Sequence, residues 1–301
     1  MASPDPGRII VTGGRGRLAA LVAGHFRSLG REVVLYSRTA GDGFEPMAGL
    51  LAPGALDGAG AVLHLAWSTL PATAELHPEL EQREDLPFLG SLLDALGRTR
   101  ARARAHFVFF SSGGTVYGNA PGRPNVEADP CRPIGWHGRA KLAAEEMIRS
   151  RAGRDGPVHA ILRISNPYGY PVPPERMQGI IPHAIRCASA GQPLALWGDG
   201  SARKDFLHHR DFLAALSAVL ERRLDGVFNV CAGESHTVGE VLAMVEEQVG
   251  RKIPLAHAPA PAWDVHDSRL DNAKLIAATG WHPRISLAEG IRREASGSVP
   301  P

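Results

Sequence analysis

The chain has 301 residues, 44% of them hydrophobic, with 33 basic against 31 acidic side chains and a formal net charge of +2. That hydrophobic fraction supports a real core and excludes a wholly disordered chain. The near-neutral balance offers nothing to attract nucleic acid or an acidic membrane surface. Cys131, Cys187 and Cys231 are too scattered for a disulfide framework or a metal cluster. No apolar run approaches the roughly 20 residues that span a bilayer, and the N-terminus has no charged-then-apolar leader. A cytoplasmic chain that binds no membrane, nucleic acid or metal is expected.

Residues 8–11 form the first apolar run, followed by Thr12-Gly13-Gly14. Residues 18–29 carry apolar side chains at helical spacing, with Gly30 beyond the end. Strands are predicted at 33–36, 61–65, 106–110 and 158–164, and helices at 86–96 and 142–148. The arginine-rich run 98–104 is expected to be a solvated helix end. After Ser165 prolines and glycines crowd residues 167–193. A helix is predicted over 180–190, a strand over 227–230 and a helix over 238–249. The proline-rich end turns weakly helical from 287, with 296–301 as a frayed tail. Strands that are apolar throughout, alternating with helices, argue for a parallel sheet covered on both faces. The expected fold is α/β, a doubly wound parallel sheet with a smaller interleaved C-terminal lobe. The sheet domain takes residues 1–166 and 206–235; the substrate lobe takes 167–205 and 236–301.

The turn after the first strand reads Thr12-Gly13-Gly14-Arg15-Gly16-Arg17-Leu18-Ala19. Gly13 suits a tight turn, Gly16 a close approach of backbone to pyrophosphate, and Ala19 close packing of helix on sheet. The helix that follows would aim its amide end at the phosphates, as in a Rossmann dinucleotide site. The second strand ends in Tyr36-Ser37-Arg38, without the carboxylate that usually grips the ribose of NAD. Arg38, assisted by Arg15 or Arg17, suits a 2′-phosphate. NADP(H) is therefore expected over NAD(H).

Several further segments carry a resemblance. Val62-Leu63-His64-Leu65-Ala66 resembles the strand end that lines the cofactor in extended short-chain dehydrogenase/reductases. The stretch from Phe109-Phe110-Ser111-Ser112 to Val116-Tyr117-Gly118 is similar to their "SS…VYG" segment, and Arg163-Ile164-Ser165-Asn166-Pro167-Tyr168-Gly169 to "LR…NPYG". Trp197-Gly198-Asp199-Gly200-Ser201 through Asp205-Phe206-Leu207-His208 resembles "GDG…RDFIHV", and Gly280-Trp281-His282-Pro283-Arg284 resembles "GW.PR". In order and over nearly the whole chain, these resemble the NAD(P)-dependent sugar epimerase, dehydratase and ketoreductase family to which UDP-glucose 4-epimerase belongs. The resemblance implies hydride and proton exchange with a nucleotide-linked sugar or related polyol. It places Leu65, Ala66, Ser111 and Asn166 along the cofactor. It also implies a homodimer paired through helices such as 86–96 and 141–148.

The resemblance breaks at the catalytic centre. Where the family has Tyr-x-x-x-Lys, this chain has His137-Gly138-Arg139-Ala140-Lys141. The family's assisting Ser or Thr falls on Gly113, leaving Ser112 and Thr115 to stand in. Lys204 replaces the phosphate-gripping arginine, with Arg203 beside it. A second arginine is missing from Pro261-Ala262-Trp263, and an asparagine falls on Asp85. The expected roles are proton transfer by His137, ribose positioning by Lys141, and substrate contact by Ser112, Thr115, Asn166, Arg203 and Lys204. Lys141 and an oxidised nicotinamide, both positive, would lower the pKa of His137 and leave it a neutral base. The alternative is a catalytically degenerate cofactor-binding protein with a redox-sensing or partner-binding role. His208, His209 and Asp211 are set aside as a metal site, since His208 falls on a structural position of the family. Trp67, Trp197 and Trp263 are taken as packing residues, and Asp264, His266 and Asp267 as polar loop.

Overall fold

A computed structural model describes residues 7–99, 105–151, 157–172 and 179–297. In chain order its elements begin β1 Arg8–Thr12, α1 Arg17–Ser28, β2 Val33–Ser37, β3 Phe44–Pro46, β4 Ala59–His64, α2 Pro71–Leu76, α3 Pro78–Leu80, α4 Leu86–Arg98 and β5 His106–Ser112. They continue with α5 Gly113–Val116, α6 Trp136–Arg151, β6 Val158–Ile164, β7 Asn166–Tyr168, α7 Ile180–Ala190, β8 Leu194–Trp197, β9 Arg203–His208 and α8 His209–Glu221. The last are β10 Gly226–Val230, β11 Ser235–Thr237, α9 Val238–Val249, β12 Leu255–Ala258, β13 Asp267–Ser268, α10 Ala273–Thr279 and α11 Leu287–Ala295.

The seven-stranded sheet has the order β10-β6-β5-β4-β1-β2-β3. β1 pairs in parallel with β2 and β4, β2 with β3, and β4 with β5. Strand order reverses between β1 and β4, which is where a doubly wound sheet opens a crevice beyond its strand ends. Ile9, Ile10, Val62, Leu63, Phe107 and Phe109 are fully buried, as a sheet covered on both faces requires. The predicted Rossmann architecture is present.

The chain packs as two compact units. The first comprises residues 1–111, 135–162 and 217–228; the second comprises 112–134, 163–216 and 229–301. Packing thus divides the stretch 206–235. Asp211, near the start of α8, accepts the Trp281 indole N–H at its carbonyl (3.1 Å) and the Ile285 N–H at its carboxylate (2.9 Å). Ser217, near the end of the same helix, bonds His25 of α1 at 2.8 Å. Within the second unit α7, α9 and α11 share a core with β8, built on Ile181, Leu196, Val241, Leu242 and Ile291.

Two readings of the sequence need correction. The helix predicted over 142–148 runs from Trp136 to Arg151. Polar His137, Gly138 and Arg139 hide its first turns from an apolar-periodicity reading, although His137 and Lys141 both lie on it. The helices α2, α3, α5, α8 and α10 and the short strands β3, β7, β8, β9, β11, β12 and β13 were not predicted. Of the run 98–104, Arg98 ends α4, and 100–104 lie outside the described residues, as do 173–178 of the proline-rich stretch and 298–301 of the tail. Among the described residues, no helix is long and apolar enough to cross a membrane, and no cluster of three His, Cys, Asp or Glu side chains stands where it would hold a metal ion.

Candidate active site

The glycine turn is built as its sequence requires. Gly13 has φ +72°, a conformation open to glycine and strained for other residues. A Cβ there would stand 2.8 Å from the backbone N and Cα of Ala66 and 3.1 Å from the carbonyl carbon of Leu65. Leu65 and Ala66, predicted to line a cofactor, therefore lie directly against the turn. The Gly16 N–H closes the turn on the Gly13 carbonyl at 2.8 Å, and a Cβ on Gly16 would meet that oxygen at 3.0 Å. Gly16 caps α1 without a side chain, so the first amides of the helix keep their donors for an anion. Ala19 is buried under the sheet. These features fit a dinucleotide pyrophosphate. Gly13→Ala is expected to cost about 1–2 kcal/mol in backbone strain alone, plus displacement of Ala66. The measured result should be a lower Tm together with weakened dinucleotide binding.

Of the three predicted arginines, Arg15 and Arg38 are exposed and Arg17, the first residue of α1, is half-buried. Arg38 pairs with Glu84 at 3.2 Å. Arg15 reaches Asp42 at 3.5 Å and lies over the Phe44 ring, 4.5 Å from its centroid. Such exposed pairs are weak.

The chemically loaded part of the first unit is a buried polar cluster on α6 and the segment leading into α4. The backbone of Glu81–Asp85 forms one π-helical turn. It precedes Pro87, whose missing N–H cannot continue a regular ladder. This wide turn directs both Glu81 and Asp85 into the interior. From α6, His137 places Nδ1 3.1 Å from Glu81 Oε1. The same carboxylate oxygen accepts the Trp67 indole N–H at 2.7 Å and the Thr69 hydroxyl. Asp85 accepts the Ser68 N–H at 3.0 Å and its hydroxyl at 2.9 Å. One turn along α6 from His137, Lys141 donates to the Phe110 carbonyl at 3.0 Å, and its ammonium sits 3.7 Å from the Trp67 ring centroid. Ser111 donates to the buried carboxylate of Glu145 at 2.6 Å.

Burial sets the charges. It pushes the Lys141 amine down to about 7, opposed by the carboxylates of Asp85, Glu81 and Glu145. Burial also lowers the His137 imidazole; the Glu81 hydrogen bond opposes this and the Lys141 charge reinforces it. The direction matches the sequence expectation, but desolvation rather than a neighbouring positive charge is the main cause. Glu81 is penalised by burial too, yet hydrogen bonds from His137, Thr69 and Trp67 hold its carboxyl below the usual range. Asp85 is raised by burial against its bonds to Ser68.

The remaining predicted residues belong to the second unit. Ser112 ends β5 and Thr115 lies in α5. Gly113 has no room for the hydroxyl residue of the family: a Cβ would stand 2.5 Å from Leu270 Cδ1 and 2.9 Å from the Arg163 carbonyl oxygen. Asn166 donates to the Asp205 carbonyl at 2.8 Å. Lys204 is held by Asp264 at 3.0 Å and by the Val265 carbonyl. Arg203 donates to the Ser235 carbonyl at 3.4 Å. Trp197 and Trp263 pack edge to face at 5.4 Å, as packing residues do, whereas Trp67 joins the polar cluster. Glu81 and Thr69 were not foreseen: neither sits in a motif, and Glu81 is 56 positions from the histidine it meets.

Comparison with known proteins agrees with this geometry. The family model described as "NAD dependent epimerase/dehydratase family" matches residues 9–231. A putative UDP-glucose 4-epimerase of Methanocaldococcus jannaschii is 31% identical over 62% of this chain. The match spans 60% of that relative's length. Among solved structures, the UDP-glucose 4-epimerase of Thermus thermophilus in complex with NAD superposes with a TM-score of 0.86 at 27% identity, covering 96% of this chain and 98% of that one. MoeE5 in complex with UDP-glucose and NAD gives 0.83 at 27% identity, covering 97% and 98%. With the glycine turn, the strand order and the α6 lysine all in place, the chain belongs to the NAD-dependent epimerase/dehydratase family.

Proposed function

We propose that this protein binds a nicotinamide dinucleotide, NADP(H) in preference to NAD(H), and acts on a nucleotide-linked sugar by epimerisation or keto reduction. The observation that carries the reading is the Gly13–Gly16 turn packed on Ala66 and opening an uncapped helix, within the same compact unit as the buried His137–Lys141 pair. The complexes named above, one with NAD and one with UDP-glucose and NAD, support the cofactor and substrate class.

When bound, the nicotinamide supplies a hydride acceptor or donor. The protein's own residues do the rest. Gly13, Gly16 and the first amides of α1 hold the pyrophosphate. Arg38 and Arg15 exchange their surface carboxylates for a 2′-phosphate. Lys141, fixed by the Phe110 carbonyl and the Trp67 face, positions the ribose. His137, neutral at pH 7, takes the proton of a sugar hydroxyl and later returns it. Ser112 or Thr115 holds the reacting oxygen, and Asn166, Arg203 and Lys204 contact the rest of the substrate. The same reading includes a homodimer paired through α4 and α6.

The test is calorimetric titration with NADP+ and NAD+, followed by product analysis with NADPH and a keto sugar nucleotide and with UDP-glucose. Tighter binding of NADP+ and a new sugar product are expected. Failure of both dinucleotides to bind overturns the reading. Binding without product over a substrate panel assigns the protein a cofactor-binding role instead.

A further inference from the structure

We propose that Glu81 is a positioning residue for His137: its Oε1 oxygen keeps a proton on Nδ1, so that Nε2 is the ring atom exchanging protons with substrate. The inference rests on the reading of His137 as the acid/base and adds the group that sets its tautomer.

The argument begins with donor counting. Three side chains converge on Glu81 Oε1: Trp67 Nε1 at 2.7 Å, the Thr69 hydroxyl, and His137 Nδ1 at 3.1 Å. An indole nitrogen only donates, so this oxygen is an acceptor. A bare Nδ1 would set one lone pair against another in a site where Glu81 is 1% exposed and His137 8%. Nδ1 therefore carries hydrogen whether the ring is neutral or charged, and in the neutral ring Nε2 is the free base. The neighbourhood holds this arrangement still. The Trp67 ring stands edge-on to His137 at 6.5 Å, interplanar angle 85°. Its indole N–H is committed to Glu81 and its face to the Lys141 ammonium.

The step is a simple proton exchange. The O–H bond of the sugar hydroxyl breaks and an Nε2–H bond forms, giving an imidazolium. The Nδ1–H stays where it was, and Glu81 stays ionised throughout. Its negative charge offsets the charge that grows on the ring, while the Lys141 ammonium opposes it. A phenol at this position needs no such partner; an imidazole, with two nitrogens, does.

The experiment compares Glu81→Gln, Glu81→Asp and His137→Gln with the wild type, using the full chain, the dinucleotide it binds and UDP-glucose. It reads the pH profile of kcat, the KM for UDP-glucose, and the ring 15N shifts of His137. His137→Gln should abolish turnover. Glu81→Gln should lower kcat by about 10-fold or more with little change in KM. It should also move the acid limb of the profile to lower pH, because loss of the anion makes the imidazolium a stronger acid. Glu81→Asp, which keeps the charge, should return the limb toward the wild-type position. A Glu81→Gln enzyme with wild-type kcat and profile, beside an inactive His137→Gln, overturns the role of Glu81. Activity retained in His137→Gln overturns the underlying reading instead. The 15N spectrum of the wild type needs no turnover and no variant. A protonated Nδ1 is expected; a neutral ring protonated on Nε2 overturns the proposal.

Discussion

Replacing His137 by phenylalanine is expected to lower kcat by about 10²–10⁴-fold while leaving dinucleotide binding intact. Phenylalanine fills the buried space and keeps an aromatic edge beside Trp67, but it can neither take nor return a proton. Glu81 loses one of its three donors and retains Trp67 and Thr69, so the cost to stability should stay within about 1–3 kcal/mol. Single-turnover rates and calorimetric titration of the same preparation separate the two effects. Unchanged turnover would remove His137 from the acid/base role. A gain of activity in His137→Tyr would point to a site that has lost its chemistry.

The second large effect concerns Lys141 and pH. Its amine, ordinarily at 10.5, is pushed down to about 7 by burial. Between those values the unfolded chain binds more protons at this residue than the folded chain does, so its contribution makes stability rise with pH across that window. Below pH 7 both states are protonated and the full cost of the buried ammonium is present. Lys141→Met lacks this term. From pH 7 to pH 9 the wild type should gain about 2 kcal/mol in stability relative to the variant, read by denaturant unfolding at each pH. A parallel course of the two curves would show that the ammonium is not held at the cost inferred. Turnover should fall in the variant at every pH, since methionine supplies no donor to the Phe110 carbonyl or to a ribose.

Much of this protein was present in local sequence. Apolar strands alternating with helices dictated a parallel sheet, because only a sheet covered on both faces accepts Ile9-Ile10-Val11 and Phe107-Val108-Phe109 without polar alternation. The glycine turn was equally legible. Its demands, a left-handed Gly13 and a small Ala19, are made on single residues within one short stretch. Lys141 and His137 were visible only through the resemblance to the family's Tyr-x-x-x-Lys motif, and the polar start of α6 concealed the helix that carries them.

What the sequence left open depended on contacts between distant segments. Nothing local distinguishes Glu81 from the charged neighbours around it. The π-helical turn before Pro87 directs it inward, and α6 brings His137 to meet it. Gly113 likewise looked like a missing hydroxyl until Leu270 and the Arg163 carbonyl filled the space. Periodicity and turn chemistry are fixed by neighbours along the chain, and so the sequence alone determined the sheet and the glycine turn. Burial and the partner of each charge are fixed by groups far away in sequence, and so only the tertiary structure decided that the histidine lies beside a carboxylate.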